Sequence, residues 1–251
     1  MSVSAADRSW DRTANRQCVV VLSTMRSGST LLKALLGEAP DVSNLNEINF
    51  QRFANPGFRD WESVWNLAPE RILLLKRPGW YNEIGSYPRV PSTTGDSGDR
   101  PRAIVLVRDV YDTVESLRKM SFGRIQKWAS PFVDRWLAIQ YWVGITRSIL
   151  SYCEVHSKTS QLARYEDLVQ DPLSVTQRLF EFIGSEQQEG VDTYSQPDSN
   201  RWRWGRDDNS PNIRSLKVQS PKDRPKTNKR LLATIESDPR INELRKQLGY
   251  C

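Results

Sequence analysis

Short apolar runs alternate with longer amphipathic segments along this chain. Three of the runs are apolar almost throughout and rich in leucine or β-branched residues, the pattern of strands buried on both faces. A fourth, more polar run is also a strand candidate. The four predicted strands cover residues 18–23, 72–76, 103–107 and 161–165.

Apolar residues recur at helical spacing between and after these runs. After the first strand, leucines fall on one face and Gly37 and Pro40 close the segment, which predicts a short helix from Thr30. Another helix is predicted to begin at Asp109, and Pro239 breaks the last helical segment. The remaining predicted helices cover residues 131–152, 172–183 and 229–248.

Alternating buried strands and amphipathic helices predict an α/β fold, in which a central parallel sheet of about four to five strands carries helices on both faces. The 251 residues suffice for one large domain. We therefore expect a flexible leader over residues 1–16 and a single domain over residues 17–251.

Composition argues against several classes of protein. No stretch approaches the ~20 apolar residues of a membrane-spanning helix, and the N-terminus lacks the apolar core of a secretory signal, so a cytoplasmic location is expected. Cys18, Cys153 and Cys251 lie far apart without a CxxC pair, unlike a disulfide scaffold or a structural zinc site. The one histidine, His156, excludes multi-histidine metal sites and is predicted to be a helix-end or surface residue.

Positive charge is concentrated near the C-terminus. The chain has 36 basic and 30 acidic residues, and residues 201–230 hold ten of the basic and three of the acidic ones. That segment therefore carries +7, and the rest, with 26 basic against 27 acidic residues, carries −1. Either the segment is a solvated or nonspecific polyanion-binding loop, or it is a mobile lid that folds over an anionic ligand.

The turn between the first strand and its helix has the form of an anion cradle. Backbone N–H groups at a helix start point at a ligand there, and the helix dipole favours negative charge. Gly28 and Thr30 match the nucleotide loop GxxxxGK[ST], but Ser23 and Ser29 replace its first glycine and its lysine. The positive charge is displaced to Arg26, so hydrolysis of a nucleoside triphosphate is poorly supported. A P-loop kinase using ATP remains the alternative, and it would need magnesium.

A second anion-binding pair is predicted at the next strand–helix junction. Arg108 ends a strand, and Ser116 lies eight residues further along the following helix. Two helical turns bring the serine back over the strand end, where the arginine and the hydroxyl can hold a second phosphate.

Three ordered motifs, RSGSTLL, VRDVYDTVESLRK and RYEDLVQDP, resemble those of sulfotransferases that use 3′-phosphoadenosine-5′-phosphosulfate (PAPS). The resemblance is greatest to the bacterial and tyrosylprotein branches. It implies a P-loop-like three-layer sandwich and sulfuryl transfer without a metal, with adenosine 3′,5′-bisphosphate as the product.

The resemblance also implies roles for individual residues. The loop would bind the 5′-phosphosulfate, Arg108 and Ser116 the 3′-phosphate, and Tyr165 the adenine, although a buried core tyrosine is nearly as good an interpretation of Tyr165. The late basic segment would add Arg214 and Lys217 at the 3′-phosphate. The loop residues concerned are Arg26, Ser27, Gly28, Ser29 and Thr30.

The resemblance does not settle the catalytic base. Glu47 is the best candidate, because a catalytic glutamate of the tyrosylprotein branch occurs at the matching distance after the loop; Glu38 is nearer but is expected to be solvated. Lys76 would stabilise charge on the bridging oxygen, and its neighbour Arg77 could take that role instead. Arg26 would contact the 5′-phosphate and the sulfuryl oxygens.

The acceptor is the least determined part of the function. Nine tryptophans suggest aromatic walls, which suit sugars, aryl rings and cationic metabolites alike. We expect a hydroxyl or amine acceptor on a small metabolite, carbohydrate or lipid, and no nucleic-acid partner. A noncatalytic polyanion-binding module is the second alternative. The tryptophans concerned are Trp61, Trp65, Trp80, Trp202 and Trp204.

Overall fold

Five parallel strands form the sheet within the part of the chain that the structure, a computed structural model, describes. That part comprises residues 16–44, 61–68, 70–91, 100–119, 131–195, 211–219 and 229–250. The strand order is β2-β3-β1-β4-β5. The strands are β1 (Gln17–Ser23), β2 (Val42–Asn44), β3 (Ile72–Pro78), β4 (Arg102–Val107) and β5 (Ser160–Arg164).

Helices connect the strands, and the signals in the sequence explain where several begin and end. Asp171 and Asp238 accept hydrogen bonds from the first turns of α6 and α9, each of which has a proline at its start. The helices are α1 (Ser29–Leu36), α2 (Trp61–Leu67), α3 (Val110–Lys119), α4 (Pro131–Val155), α5 (Tyr165–Gln170), α6 (Pro172–Ile183), α7 (Pro211–Arg214), α8 (Lys229–Ser237) and α9 (Pro239–Gln247).

Two hydrophobic cores lie on opposite faces of the sheet. Successive side chains of β1 point to opposite faces, so Val20 joins the core under α4, while Val21 joins the core under α1 and α6. Every residue of β1 from Cys18 to Ser23 is buried, as its unbroken apolar run predicts. The α/β fold with helices on both faces is therefore confirmed.

The strand predictions are confirmed with small shifts at the ends. The fourth predicted strand stops at Arg164, which pairs with the last residue of β4, and Tyr165 instead begins α5. One strand was missed: β2 has three residues, too few to show a pattern. No helix among the described residues is long and apolar enough to cross a membrane.

The strand order determines where a ligand can bind. The central strand β1 has β3 on one side and β4 on the other; the chain leaves the end of β1 towards β2 on one side, and it leaves the end of β4 towards β5 on the other. In open α/β sheets, ligands bind outside the carboxyl ends of strands where the order reverses in this way. The loop after β1 and the junction after β4 both lie at that point.

Asp41 links the start of β2 to the end of α6. Its fully buried carboxylate accepts hydrogen bonds from Arg71 at 2.8 Å, from the Ser185 hydroxyl at 2.6 Å and from the Glu186 amide at 3.0 Å. These contacts hold the short edge strand against the molecule.

We predict that Asp41→Ala lowers the free energy of unfolding by about 2–4 kcal/mol, because it leaves buried donors without an acceptor. The control is Asp192→Ala, which removes a partly exposed ion pair to Lys217 at 3.5 Å and should cost less than about 1 kcal/mol. Urea denaturation measures both. Equal losses for the two variants would contradict the structural role given to Asp41.

Candidate functional site

The loop between β1 and α1 adopts two left-handed residues within three positions. Arg26 has φ 65° and Gly28 has φ 90°. A left-handed non-glycine residue costs of order 1 kcal/mol and is typical of functional loops. The Ser27 hydroxyl, fully buried, donates to the Thr24 carbonyl at 2.8 Å and closes the turn. These features give the loop a defined turn that leads directly into the start of α1.

Tyr141 from α4 holds the beginning of this loop. Its hydroxyl accepts from the Met25 amide at 2.6 Å and donates to the Gly79 carbonyl at 2.7 Å, so it joins the ends of β1 and β3. Burial raises the pKa of Tyr141 well above its usual value, which keeps the hydroxyl protonated as a donor. Nothing in the local sequence around Tyr141 signals this contact, because its partners lie far away along the chain.

Arg26, Ser116 and Arg108 form one connected set of donors at the carboxyl end of the sheet. The Arg26 Nε donates to the Ser116 hydroxyl at 3.0 Å, and an Arg108 terminal nitrogen donates to the Arg26 carbonyl at 3.0 Å. The Arg108 Nε is buried without a hydrogen-bond partner. The structure thus brings together two elements for which the sequence separately predicted a role in anion binding.

Tyr165 lies beneath this set. The Arg108 guanidinium sits 4.2 Å from the centroid of the Tyr165 ring, within the range of a cation–π contact. The ring also lies against Gly28, since a Cβ atom there would fall 2.3 Å from Tyr165 Cδ2. On the other side, Trp142 Nε1 donates to the Arg108 carbonyl at 3.1 Å. Arg108 is therefore oriented by contacts to both its backbone and its side chain.

Two buried lysines lie beside the first turn of α1. Lys76 is inside β3, two residues before its end at Pro78, and its Nζ donates to the Thr30 hydroxyl at 2.9 Å. Lys33, one helical turn after Thr30, is only 3% exposed. Burial, and secondly the charge of Lys76, hold the pKa of Lys33 well below its usual value. The sequence analysis missed Lys33, although a lysine inside an apolar helical run was a visible signal.

Arg77 points away from Lys76, as successive residues of a strand do. It forms a bidentate ion pair with Glu83. The Glu83 carboxylate also accepts a hydrogen bond from the Trp80 amide at 2.8 Å. Burial raises the pKa of Glu83, but these hydrogen bonds and the arginine charge outweigh it, and the pKa falls below its usual value. The Tyr87 hydroxyl accepts a hydrogen bond from the Ser23 amide at 3.1 Å and donates one to the Arg77 carbonyl.

The residue proposed as the base, Glu47, lies outside the described residues. Strand β2 ends three residues before it, at Asn44, which is paired with Leu74 of β3. His156 is at the other end of the sheet: both ring nitrogens lie about 3 Å from Arg100, two residues before β4 begins. It is thus remote from the carboxyl ends of the strands.

Arg214 and Lys217 lie on the surface. Lys217 is paired with Asp192 at 3.5 Å, and Thr193 and Lys217 form an isolated antiparallel bridge. Arg214 ends α7 and is exposed. Their predicted contact with a phosphate stays a prediction. Residues 201–210 and 220–228 of the basic segment, with Trp202 and Trp204, lie outside the described residues.

Asp109 caps α3 through a hydrogen bond from the Tyr111 amide at 2.9 Å. It is fully buried and lies 3.4 Å from Arg245. Within the described part of the chain, no group of three or more histidine, cysteine, aspartate or glutamate residues could hold a metal ion.

Comparisons with known proteins give one consistent result. Residues 100–189, which include Arg108, Ser116 and Tyr165, match the model of a family described as the sulfotransferase family. No curated protein sequence matches the chain significantly.

Three solved structures share the fold. The sulfotransferase domain from the curacin biosynthetic pathway is 19% identical, with a TM-score of 0.60 over 93% of this chain and 98% of that chain. The sulfotransferase domain from the Synechococcus PCC 7002 olefin synthase is also 19% identical, with a TM-score of 0.55 over 92% and 99%. A sulfotransferase from Alicyclobacillus acidocaldarius is 14% identical, with a TM-score of 0.51 over 74% and 88%.

We predict that Gly28→Ala destabilises the protein by about 1–3 kcal/mol more than Gly85→Ala, because only Gly28 faces a ring that a Cβ would overlap. Gly85 is a matched control, since its φ of 86° is nearly that of Gly28 and no atom lies within 4 Å of an added Cβ. Urea denaturation measures both variants.

A Tyr165→Ala background tests the cause of this difference. Without the ring, Gly28→Ala should cost no more than Gly85→Ala, because only the backbone strain remains. A penalty at Gly28 that persists without the ring would contradict the steric explanation.

Proposed function

We propose that this chain is a sulfotransferase that transfers the sulfuryl group of PAPS to a hydroxyl or amine of a small metabolite, carbohydrate or lipid. The match of residues 100–189 to the sulfotransferase family model and the shared fold support this proposal. One observation carries the proposal: Arg26, Ser116 and Arg108 form a continuous donor set at the switch point of the sheet. A ligand with phosphates at both ends of one nucleoside suits such a set.

The residues present fit PAPS. The unpartnered Arg108 Nε would donate to an oxygen of the 3′-phosphate, and the Ser116 hydroxyl, which accepts from Arg26, would donate to the same phosphate. The loop from Arg26 to Thr30 would hold the 5′-phosphosulfate at the start of α1, where backbone amides and the helix dipole favour an anion. Tyr165, in contact with Gly28 and Arg108, would lie against the adenine.

Cations of this chain would assist the transfer. Bound PAPS supplies the sulfuryl group, and its leaving phosphate gains negative charge. Arg26 has the planar fork that suits such oxygens, and Lys76 is held in place by Thr30 beside the same helix start. Fixed positive charge at the departing oxygen is the main contribution that a protein makes to such a reaction. Arg77 is less suited to this role, because it is paired with Glu83.

Glu47 would accept the proton of the acceptor hydroxyl. Strand β2 runs parallel to β3 and ends at Asn44, opposite Leu74, two residues before Lys76. Three further residues, at up to ~3.5 Å each, would suffice to reach the region beside Lys76. Glu83 is a poorer base, because its pairing with Arg77 lowers its pKa. His156 lies at the opposite end of the sheet.

Arg214 and Lys217 would reach the 3′-phosphate when the basic segment closes over the bound nucleotide. Both side chains are exposed, and Lys217 would exchange its weak ion pair with Asp192 for a phosphate. Closure would also exclude water from the phosphosulfate.

We predict that Arg108→Ala weakens binding of adenosine 3′,5′-bisphosphate by roughly 2–4 kcal/mol, because a charge-assisted contact to the 3′-phosphate is lost. Adenosine 5′-phosphate, which lacks that group, should lose much less. Calorimetry in EDTA measures both ligands and tests at once whether binding needs a divalent ion, as a kinase would.

The control variant is Arg147→Ala, which removes an exposed arginine of α4 at a distance from the loop. It should leave both affinities unchanged. If Arg108→Ala affects the two nucleotides equally, Arg108 does not bind the 3′-phosphate. Binding that requires magnesium would favour the kinase instead.

We predict that Glu47→Gln lowers kcat by about 10²–10⁴ and leaves the affinity for adenosine 3′,5′-bisphosphate nearly unchanged, as loss of a general base does. The measurement is turnover of labelled PAPS with an acceptor found in a metabolite screen. Glu38→Gln is the matched control, because Glu38 is exposed and bonds to Ser195. If His156→Ala is inactive while Glu47→Gln turns over normally, Glu47 is not the base.

A further inference from the structure

The C-terminal end of the chain packs against the junction between β4 and α3. The Tyr250 hydroxyl donates to Glu166 Oε2 at 2.7 Å, and Glu166 Oε1 accepts from the backbone amide of Asp109 at 3.0 Å. Glu166 thus connects the C-terminal end directly to the residue that follows Arg108. The two oxygens of the same carboxylate accept these two hydrogen bonds, so both bonds depend on the position of the Glu166 side chain.

Arg245 provides a second connection to the same junction. It lies 3.4 Å from the buried Asp109 carboxylate and donates to the Tyr250 carbonyl at 3.2 Å. Its guanidinium also lies 5.0 Å from the centroid of the Tyr111 ring, in the first turn of α3. Arg245 therefore contacts the C-terminal end, the residue that caps α3 and the first turn of α3.

Arg164, the last residue of β5, fixes the ring of Tyr250. It donates to the Gly249 carbonyl at 3.1 Å, and its guanidinium lies 4.3 Å from the centroid of the Tyr250 ring. Burial, and then the charge of Glu166, raise the pKa of Tyr250 well above its usual value, so its hydroxyl remains a donor at neutral pH.

We propose that Tyr250 and Arg245 are positioning residues that set the place of Arg108 at the 3′-phosphate. The proposal rests on the nucleotide-binding role proposed for Arg108. The Arg108 guanidinium is carried by a backbone held at two points, by Trp142 at its carbonyl and by Glu166 at the following amide. Only the Glu166 contact depends on the C-terminal end, and small displacements of a binding group are costly.

The test compares two nucleotides in Tyr250→Phe and Arg245→Met. Each variant should bind adenosine 3′,5′-bisphosphate about ten-fold more weakly, because the Glu166 or Asp109 contact is loosened. Binding of adenosine 5′-phosphate should change less than about two-fold. Since that nucleotide does not use the 3′ site, its unchanged affinity also shows that the variant is folded. Arg245→Lys keeps the charge and should restore part of the loss.

Matched controls exist for both substitutions. Tyr152→Phe removes a buried tyrosine hydroxyl that has no hydrogen-bond partner, and Arg240→Met removes an arginine of the same helix that pairs with Asp238. Both controls should keep the ratio of the two affinities. A ratio in Tyr250→Phe and Arg245→Met equal to that of the wild type, or a loss shared by both nucleotides, would overturn the proposal.

The failure of the proposed function is distinguishable from the failure of this inference. If the wild-type protein does not prefer adenosine 3′,5′-bisphosphate to adenosine 5′-phosphate, the nucleotide assignment itself is wrong. If the wild type shows the preference and the variants keep it, only the positioning role of the C-terminal end is wrong.

Discussion

The hydrogen bond from Arg108 to the Arg26 carbonyl is the contact on which the site depends. It joins the loop after β1 to the junction after β4, and it is possible only because these strands are neighbours in the sheet. Arg26, whose carbonyl accepts this bond, has a left-handed conformation, and Gly28 lets the Tyr165 ring approach the loop closely. Backbone shape and strand order therefore determine this contact together.

This arrangement concentrates positive charge at the carboxyl ends of the strands. The Arg108 guanidinium lies on the backbone of Arg26, and Lys33 and Lys76 are buried close enough for the charge of Lys76 to lower the pKa of Lys33. Like charges in a partly desolvated site oppose folding. A polyanion bound here, as proposed above, would relieve this repulsion and so stabilise the folded chain. Glu83 neutralises a further cation of this region, because it forms an ion pair with Arg77.

Local patterns predicted the frame of the molecule and part of the site. The buried strands were visible as apolar runs. The helical period predicted that Ser116 returns towards the end of β4, and in the structure its hydroxyl accepts a hydrogen bond from Arg26. Strand β2 was missed because three residues carry no periodicity, and its place in the sheet comes from pairing with β3. Tyr141 and Tyr250 were missed for another reason: their partners are 116 and 84 residues away, and only the folded chain brings them together.

Those long-range contacts explain how two loops hold a fixed shape. Tyr141 and Trp142 are adjacent in α4, yet one holds the Met25 amide and the other the Arg108 carbonyl. A single helix thus positions the loop after β1 and the junction after β4 relative to each other. The C-terminal end supports the junction after β4 from a different direction, through Glu166. These supports from α4 and from the C-terminal end add to the contacts made within the loops, such as that of Ser27 with Thr24.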